Sequence, residues 1–166
     1  GIDGRAPFAA IGVTATGAVN GVHAAFPPPP ATPDSVVVNL ASASAIYGQP
    51  ELANYSATKF FVRGLTEALD LEWGRYGIRV VAIWPLYVQT PMLTGVDTGT
   101  TRSLGVRLTA QDVADVIVSA VEPSRLRRTV RQVHYPVGAQ TKAFALGSRF
   151  SPAWLTRALN KRLAGS

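Results

Sequence analysis

The chain has 166 residues, of which 47% are hydrophobic and 16% charged, with no cysteine and a net charge of +6. This length suits about one domain with a sizeable core, and the apolar content excludes a disordered chain. The lack of cysteine excludes disulfides, thiolate metal sites and cysteine nucleophiles, and no apolar run reaches the roughly 18 residues of a membrane span. Gly12, Thr14, Gly17, Asn20 and His23 interrupt any signal-peptide core near the start, so a cytoplasmic protein is expected. The charge is unevenly placed. Residues 1–122 hold 7 basic and all 10 acidic residues, whereas residues 123–166 hold 9 basic residues and no acid.

Residues 7–26 are predicted to form a helix of small residues, opened by Pro7 and stopped by Pro27–Pro30. On that helix Gly17 and Gly21 share a face suited to close packing. Residues 26–34 then make a short, stiff linker. Residues 35–41 (SVVVNLA) are a β-branched run typical of a strand buried on both faces. From about Leu52 to Tyr76 the period turns helical, with Phe60, Leu65, Leu69 and Trp73 as the apolar stripe. Gly77 stops this helix, and residues 78–84 (IRVVAIW) form a second buried strand ended by Pro85. Strand, long helix and strand make a βαβ unit, hence parallel strands with a right-handed crossover. Residues 86–108 show no period and are expected to be a lid. Thr109 and Asp112 open a further helix to about Val121, residues 132–137 suit a short strand, and two helices close the chain.

The layout is an open α/β sheet, in which ligands sit beyond the carboxyl ends of the strands. Ser42 and Ser44 follow the first strand there, and residues 85–90 follow the second. Tyr55 and Lys59 are four residues apart on one helix face, where they can share a site. A phenol is a poor acid or base near neutral pH, and a neighbouring ammonium favours its ionised form. Ser42 precedes Tyr55 by 13 residues, so its hydroxyl can meet the phenol over the strand ends. Two donors converging on one carbonyl oxygen would stabilise the charge that develops there on reduction.

Residues 37–48 (VVNLASASAIYG), followed by Tyr55-Ser-Ala-Thr-Lys59, resemble the catalytic half of a short-chain dehydrogenase/reductase. The similarity continues through Gly64–Leu69, Gly77–Val81 and Pro85–Thr90. It implies a Rossmann-like, doubly wound parallel sheet and hydride transfer between NAD or NADP and a small-molecule alcohol or ketone. By position it makes Tyr55 the proton donor and acceptor, with Lys59 lowering its pKa and holding the nicotinamide ribose. Ser42 would orient the substrate oxygen, and Pro85, Val88 and Thr90 would contact the cofactor. The substrate pocket is expected from Ser42, Ser44, Tyr55, Leu86 and the 86–108 lid. Pairing through the helices at 7–26 and 52–76 would make a homo-oligomer.

Three departures from the family pattern stand out. Thr14 occupies the place of an asparagine, and Leu86 that of a glycine in the nicotinamide loop. The glycine-rich pyrophosphate turn has no counterpart: only 19 residues separate the look-alike Thr16–His23 from Ser42. The chain is therefore expected to be one partial Rossmann-type domain over 1–166, lacking the amino-terminal half of the family. A non-catalytic remnant is the alternative.

Residues 150–166 form a basic amphipathic helix, with Leu155, Ala158, Leu159 and, one turn on, Arg162 and Leu163 along one side. Aromatic interleaving is too sparse for a nucleic-acid partner. An anionic membrane surface, a sheet edge and a dimer surface all remain as what this helix covers. The two histidines, 111 residues apart, and Trp73 and Trp84 read as structural. No metal site is expected.

Overall fold

The computed structural model describes residues 9, 11–26, 32, 34–93 and 97–165. Pro7, the Pro27–Pro30 linker and residues 94–96 of the expected lid lie outside them. Three strands, β1 (Val36–Leu40), β2 (Arg79–Trp84) and β3 (His134–Pro136), pair in parallel in that order. Val38 lies opposite Val81, and Ile83 opposite both Leu40 and Tyr135.

The central strand explains the layers. Side chains alternate along a strand, so β2 presents Val80, Ala82 and Trp84 to one face and Val81 and Ile83 to the other. The first face packs on helix α2 (Ala53–Trp73) through Val62, Leu69 and Trp73. The second packs on helix α4 (Ala110–Val121) through Val113, Val116, Ile117 and Ala120. Both faces of β2 are covered, as its β-branched run requires, whereas β1 is only partly buried and Leu40 at its end is exposed. The doubly wound parallel arrangement read from the sequence is the one observed.

The stripe of α2 needs one correction. Leu69 and Trp73 are buried and Leu65 is partly so, but Phe60 is exposed, and Val62 and Thr66 take the inner position. After α2 a short turn leads to Gly77, whose φ of 74° is the left-handed conformation that glycine adopts without strain. Asp70, buried on α2, accepts the Val80 backbone N–H at 3.2 Å and pairs with Arg131 at 3.5 Å, so helix and sheet are joined at that end.

The first helix runs as a π-turn (Gly12–Thr16) into α1 (Gly17–Ala25). Nothing lies within 4 Å of where a Cβ would stand on Gly17 or Gly21 among the described residues. The expected close-packed face is not found there; Val22 is the residue of α1 that enters the core.

The segment expected as an aperiodic lid contains a 3-10 turn (Pro91–Leu93) and helix α3 (Gly99–Leu104). Six residues are too few to display a helical period. α3 is instead specified by a capping box between Thr98 and Thr101. The same device opens α4, where Thr109 and Asp112 cap each other as expected. Helices α5 (Arg125–Thr129), α6 (Gly138–Phe150) and α7 (Ala153–Ala164) complete the order. α7 packs on α3: Ser103 donates to the Leu163 carbonyl at 2.7 Å, and a Cβ on Gly99 would collide with the Ala164 carbonyl.

Trp73 and Trp84 are buried in the core, as expected, and His134 packs beside Trp84. His134 stacks on Trp84 with centroids 4.2 Å apart and hydrogen-bonds Glu67 at 2.8 Å. Burial holds the imidazole below its ordinary pKa even though Glu67 opposes that shift. Among the described residues no helix is long and apolar enough to cross a membrane, and no group of three or more His, Asp or Glu could hold a metal.

Candidate active site

The strand ends create the site. Beyond β1 the backbone stays beside β2: Ala41 N–H donates to the Ile83 carbonyl at 3.0 Å and Ala43 N–H to the Pro85 carbonyl at 2.8 Å. Ser42 is held between them. It caps the 3-10 turn Ala43–Ala45, accepting the Ser44 N–H at 3.2 Å, and its hydroxyl lies 3.4 Å from the Pro85 carbonyl. Tyr55 and Lys59 occupy the first turns of α2, above the same strand ends.

Tyr55 is 41% exposed, so its phenol remains open to a small molecule. Partial burial raises its pKa above the ordinary tyrosine value; the nearby Ser42 hydroxyl opposes this and Tyr87 adds to it. Lys59 donates to the Leu40 carbonyl at 3.0 Å, and its ammonium stands 5.5 Å from the centre of the Tyr55 ring. Burial lowers the lysine pKa. The direction of the Tyr55 shift is opposite to the lowering expected from Lys59, because desolvation is the largest influence on the phenol.

Ser44 begins a polar chain that the sequence did not reveal. Its hydroxyl donates to Gln49 Oε1 at 3.1 Å, and the Tyr87 hydroxyl reaches the same oxygen at 3.4 Å. Tyr87 in turn meets Thr100 Oγ1 at 2.5 Å, which connects the strand ends to α3. Glu51 accepts the Gly99 N–H at 3.0 Å, fixing the start of that helix to the loop before α2. Tyr87 lies inside the quoted Pro85–Thr90 loop, but nothing in spacing or composition singles out Gln49 or Thr100.

Val88 and Thr90 follow on the far side of the loop. Val88 bridges to Leu108, and Thr90 is exposed. Pro85 is buried and Leu86 half-buried. Thr14 falls in the π-turn, half-buried.

Next to the polar chain opens a cavity of about 240 Å³. Leu86, Thr100 and Leu104 line it, as the expected pocket requires, but Ser42, Ser44 and Tyr55 do not. The reason is that the Ala43–Ala45 turn buries both serines beneath its surface. The opposite wall was not foreseen: it is α6 and α7, through Phe144, Leu155, Leu159 and Leu163. The apolar side of the basic terminal helix thus faces this cavity and α3.

A family profile described as short chain dehydrogenase matches residues 8–101. The chain is 40% identical over 80 residues to a 3-alpha-(or 20-beta)-hydroxysteroid dehydrogenase of Mycobacterium bovis, covering 48% of this chain and 31% of that protein. It is 34% identical over 109 residues to a trans-4-hydroxycyclohexanecarboxylate dehydrogenase of Sinomonas cyclohexanicum, covering 65% of this chain and 42% of that one. The chain thus spans less than half the length of these curated relatives. A short chain dehydrogenase from Burkholderia cenocepacia J2315, crystallised in complex with NADP, superposes with a TM-score of 0.78 at 22% identity. That superposition covers 98% of this chain and 60% of the other, and so extends the fold likeness through α7.

Proposed function

Since the chain belongs to the short-chain dehydrogenase family, we propose that it carries the substrate and nicotinamide end of an NAD- or NADP-dependent oxidoreductase acting on a small-molecule alcohol or ketone. The observation that carries this reading is the convergence of Ser42 and Tyr55 at the ends of β1 and β2, with Lys59 on the Leu40 carbonyl.

The donor set suits a nicotinamide ribose and carboxamide. Lys59 uses one of its three N–H groups on Leu40 and has others to offer a diol. Tyr55 and Thr90 are exposed hydroxyls, and Val88 adds an apolar surface on the loop stiffened by Pro85. These five residues would hold that end of the cofactor. When bound, the nicotinamide supplies or accepts the hydride.

The protein's own part is the proton. In the direction of reduction the Tyr55 hydroxyl gives its proton to the substrate oxygen, while the Ser42 hydroxyl donates a hydrogen bond to the same oxygen. In oxidation the phenolate takes the proton back. A phenol raised above its ordinary pKa is protonated at neutral pH, the form that reduction needs, but is a weaker acid than the lowered one expected from the sequence. Ser44, Gln49 and Tyr87 hold Ser42 and the 85–90 loop in register, and Leu86 borders the substrate. The exposed Val13 and Val19, with Phe60, Phe61 and Leu71 on α2, support pairing of two copies through these helices.

Ser42→Ala tests the arrangement. Losing one of two donors to the developing oxyanion should lower kcat about 10²-fold or more, with cofactor affinity unchanged. Undiminished ketone reduction by this variant would remove Ser42 from the reaction.

A further inference from the structure

We infer that the substrate is an uncharged, largely apolar alcohol or ketone, and that the terminal helix α7 sets how long its apolar body can be. The inference rests on the reaction proposed above and concerns what else the site demands of its substrate.

The carrying observation is the lining of the cavity beside the Ser44–Gln49–Tyr87–Thr100 chain. Leu86, Leu104, Phe144, Leu155, Leu159 and Leu163 supply most of its large apolar side chains, with the uncharged Ser148, Ser151, Thr156 and Asn160 among them on the α6 and α7 side. Not one charged side chain lines it among the described residues. That is unexpected from composition, because residues 123–166 hold 9 cations and no acid. On α6 and α7 the cations are Lys142, Arg149, Arg157, Lys161 and Arg162, and each is absent from the lining.

Helical geometry accounts for the separation. Leu155, Leu159 and Leu163 recur every four residues and share one face, whereas Arg157 and Lys161 fall on another; Arg162 stands at the edge of the leucine face and is absent from the lining. A carboxylate entering this cavity would shed water and find no cation, a costly exchange. An alkyl or alicyclic body gains by the same desolvation. Of the cavity's polar lining, Gln49 and Thr100 lie where it meets the hydroxyl chain, so a substrate oxygen can meet that chain while the body lies along α7.

The test uses linear methyl ketones of increasing length and the oxo-acids of equal length, with NADPH or NADH. Expected is a rise in kcat/KM of about fourfold per methylene, as transfer of each from water implies, until the body reaches α7. The oxo-acid should fall about tenfold or more below the ketone of the same length. Leu159→Trp, which fills the cavity from the α7 side, should end the rise at a shorter ketone. A flat length series, or preference for the oxo-acid, overturns the inference.

A second arm needs no turnover. Binding of the same ketones and oxo-acids to the protein without cofactor is followed by ligand-observed NMR. Tighter binding of the long ketone, weakened by Leu159→Trp, upholds the cavity assignment even if no hydride transfer is detected, and the reaction is then what fails. Equal binding of ketone and oxo-acid, insensitive to Leu159→Trp, overturns the cavity assignment whether or not the reaction stands.

Discussion

Tyr55→Phe should lower kcat by about 10² to 10⁴-fold while leaving the affinity for NADH or NADPH close to that of the parent protein. Phenylalanine keeps the ring and its packing beside Lys59 and removes only the hydroxyl that carries the proton. The pH dependence sharpens the expectation. Burial raises the phenol pKa, so near neutral pH the group is protonated, ready to give a proton and unready to take one. Ketone reduction should therefore be nearly flat with pH in the neutral range. Alcohol oxidation needs the phenolate and should climb about tenfold per pH unit toward the phenol pKa. Tyr55→Phe should abolish that climb. An unchanged slope in the variant would assign the proton to another group.

The second large effect is on the fold. Ile83→Ala should destabilise the protein by about 2 to 5 kcal/mol, a fall in Tm of roughly 4 to 20 °C. Ile83 is fully buried near the carboxyl end of β2, packed with Val81, Ala120, Tyr135 and Val137. It is flanked by Leu40 on one strand and Tyr135 on the other. A cavity there cannot be closed from either neighbouring strand without moving backbone. Leu71→Ala serves as the contrast, because Leu71 is 81% exposed and its loss should cost within about 0.5 kcal/mol. Comparable losses for both variants would mean that the core is not organised around β2.

Much of this was legible before the structure, and for identifiable reasons. Buried parallel strands need continuous β-branched runs, and Val36–Leu40 and Arg79–Trp84 supply them. Capping boxes are local, so Thr109 and Asp112 could be read directly. Ser42, Tyr55 and Lys59 stood out because a strand end and an i, i+4 pair at that separation follow a family pattern.

What was misread depended on relations that spacing does not encode. A helical stripe gives the angle between side chains but not which face the sheet will take, and so Phe60 was placed inward when Val62 and Thr66 are. The Gly17 and Gly21 pair suggested a close approach that needs a partner, and none of the described residues provides it. The leucines of α7 advertised an apolar side without saying what it meets. The answer, a cavity shared with Leu86 and Leu104, depends on α3, a helix too short to show a period. The sign of the Tyr55 shift was missed for a related reason. Proximity of Lys59 was readable, whereas the desolvation that raises the phenol pKa follows from packing.

The most direct test of the central claim is a titration of NADH and NADPH into the 166-residue chain, followed by nicotinamide fluorescence. The account predicts a saturable change with at least one of them, with affinity weakened about tenfold by Lys59→Ala through loss of a charged hydrogen bond. No saturable change up to roughly millimolar cofactor, or one indifferent to Lys59→Ala, would contradict a nicotinamide site at these strand ends.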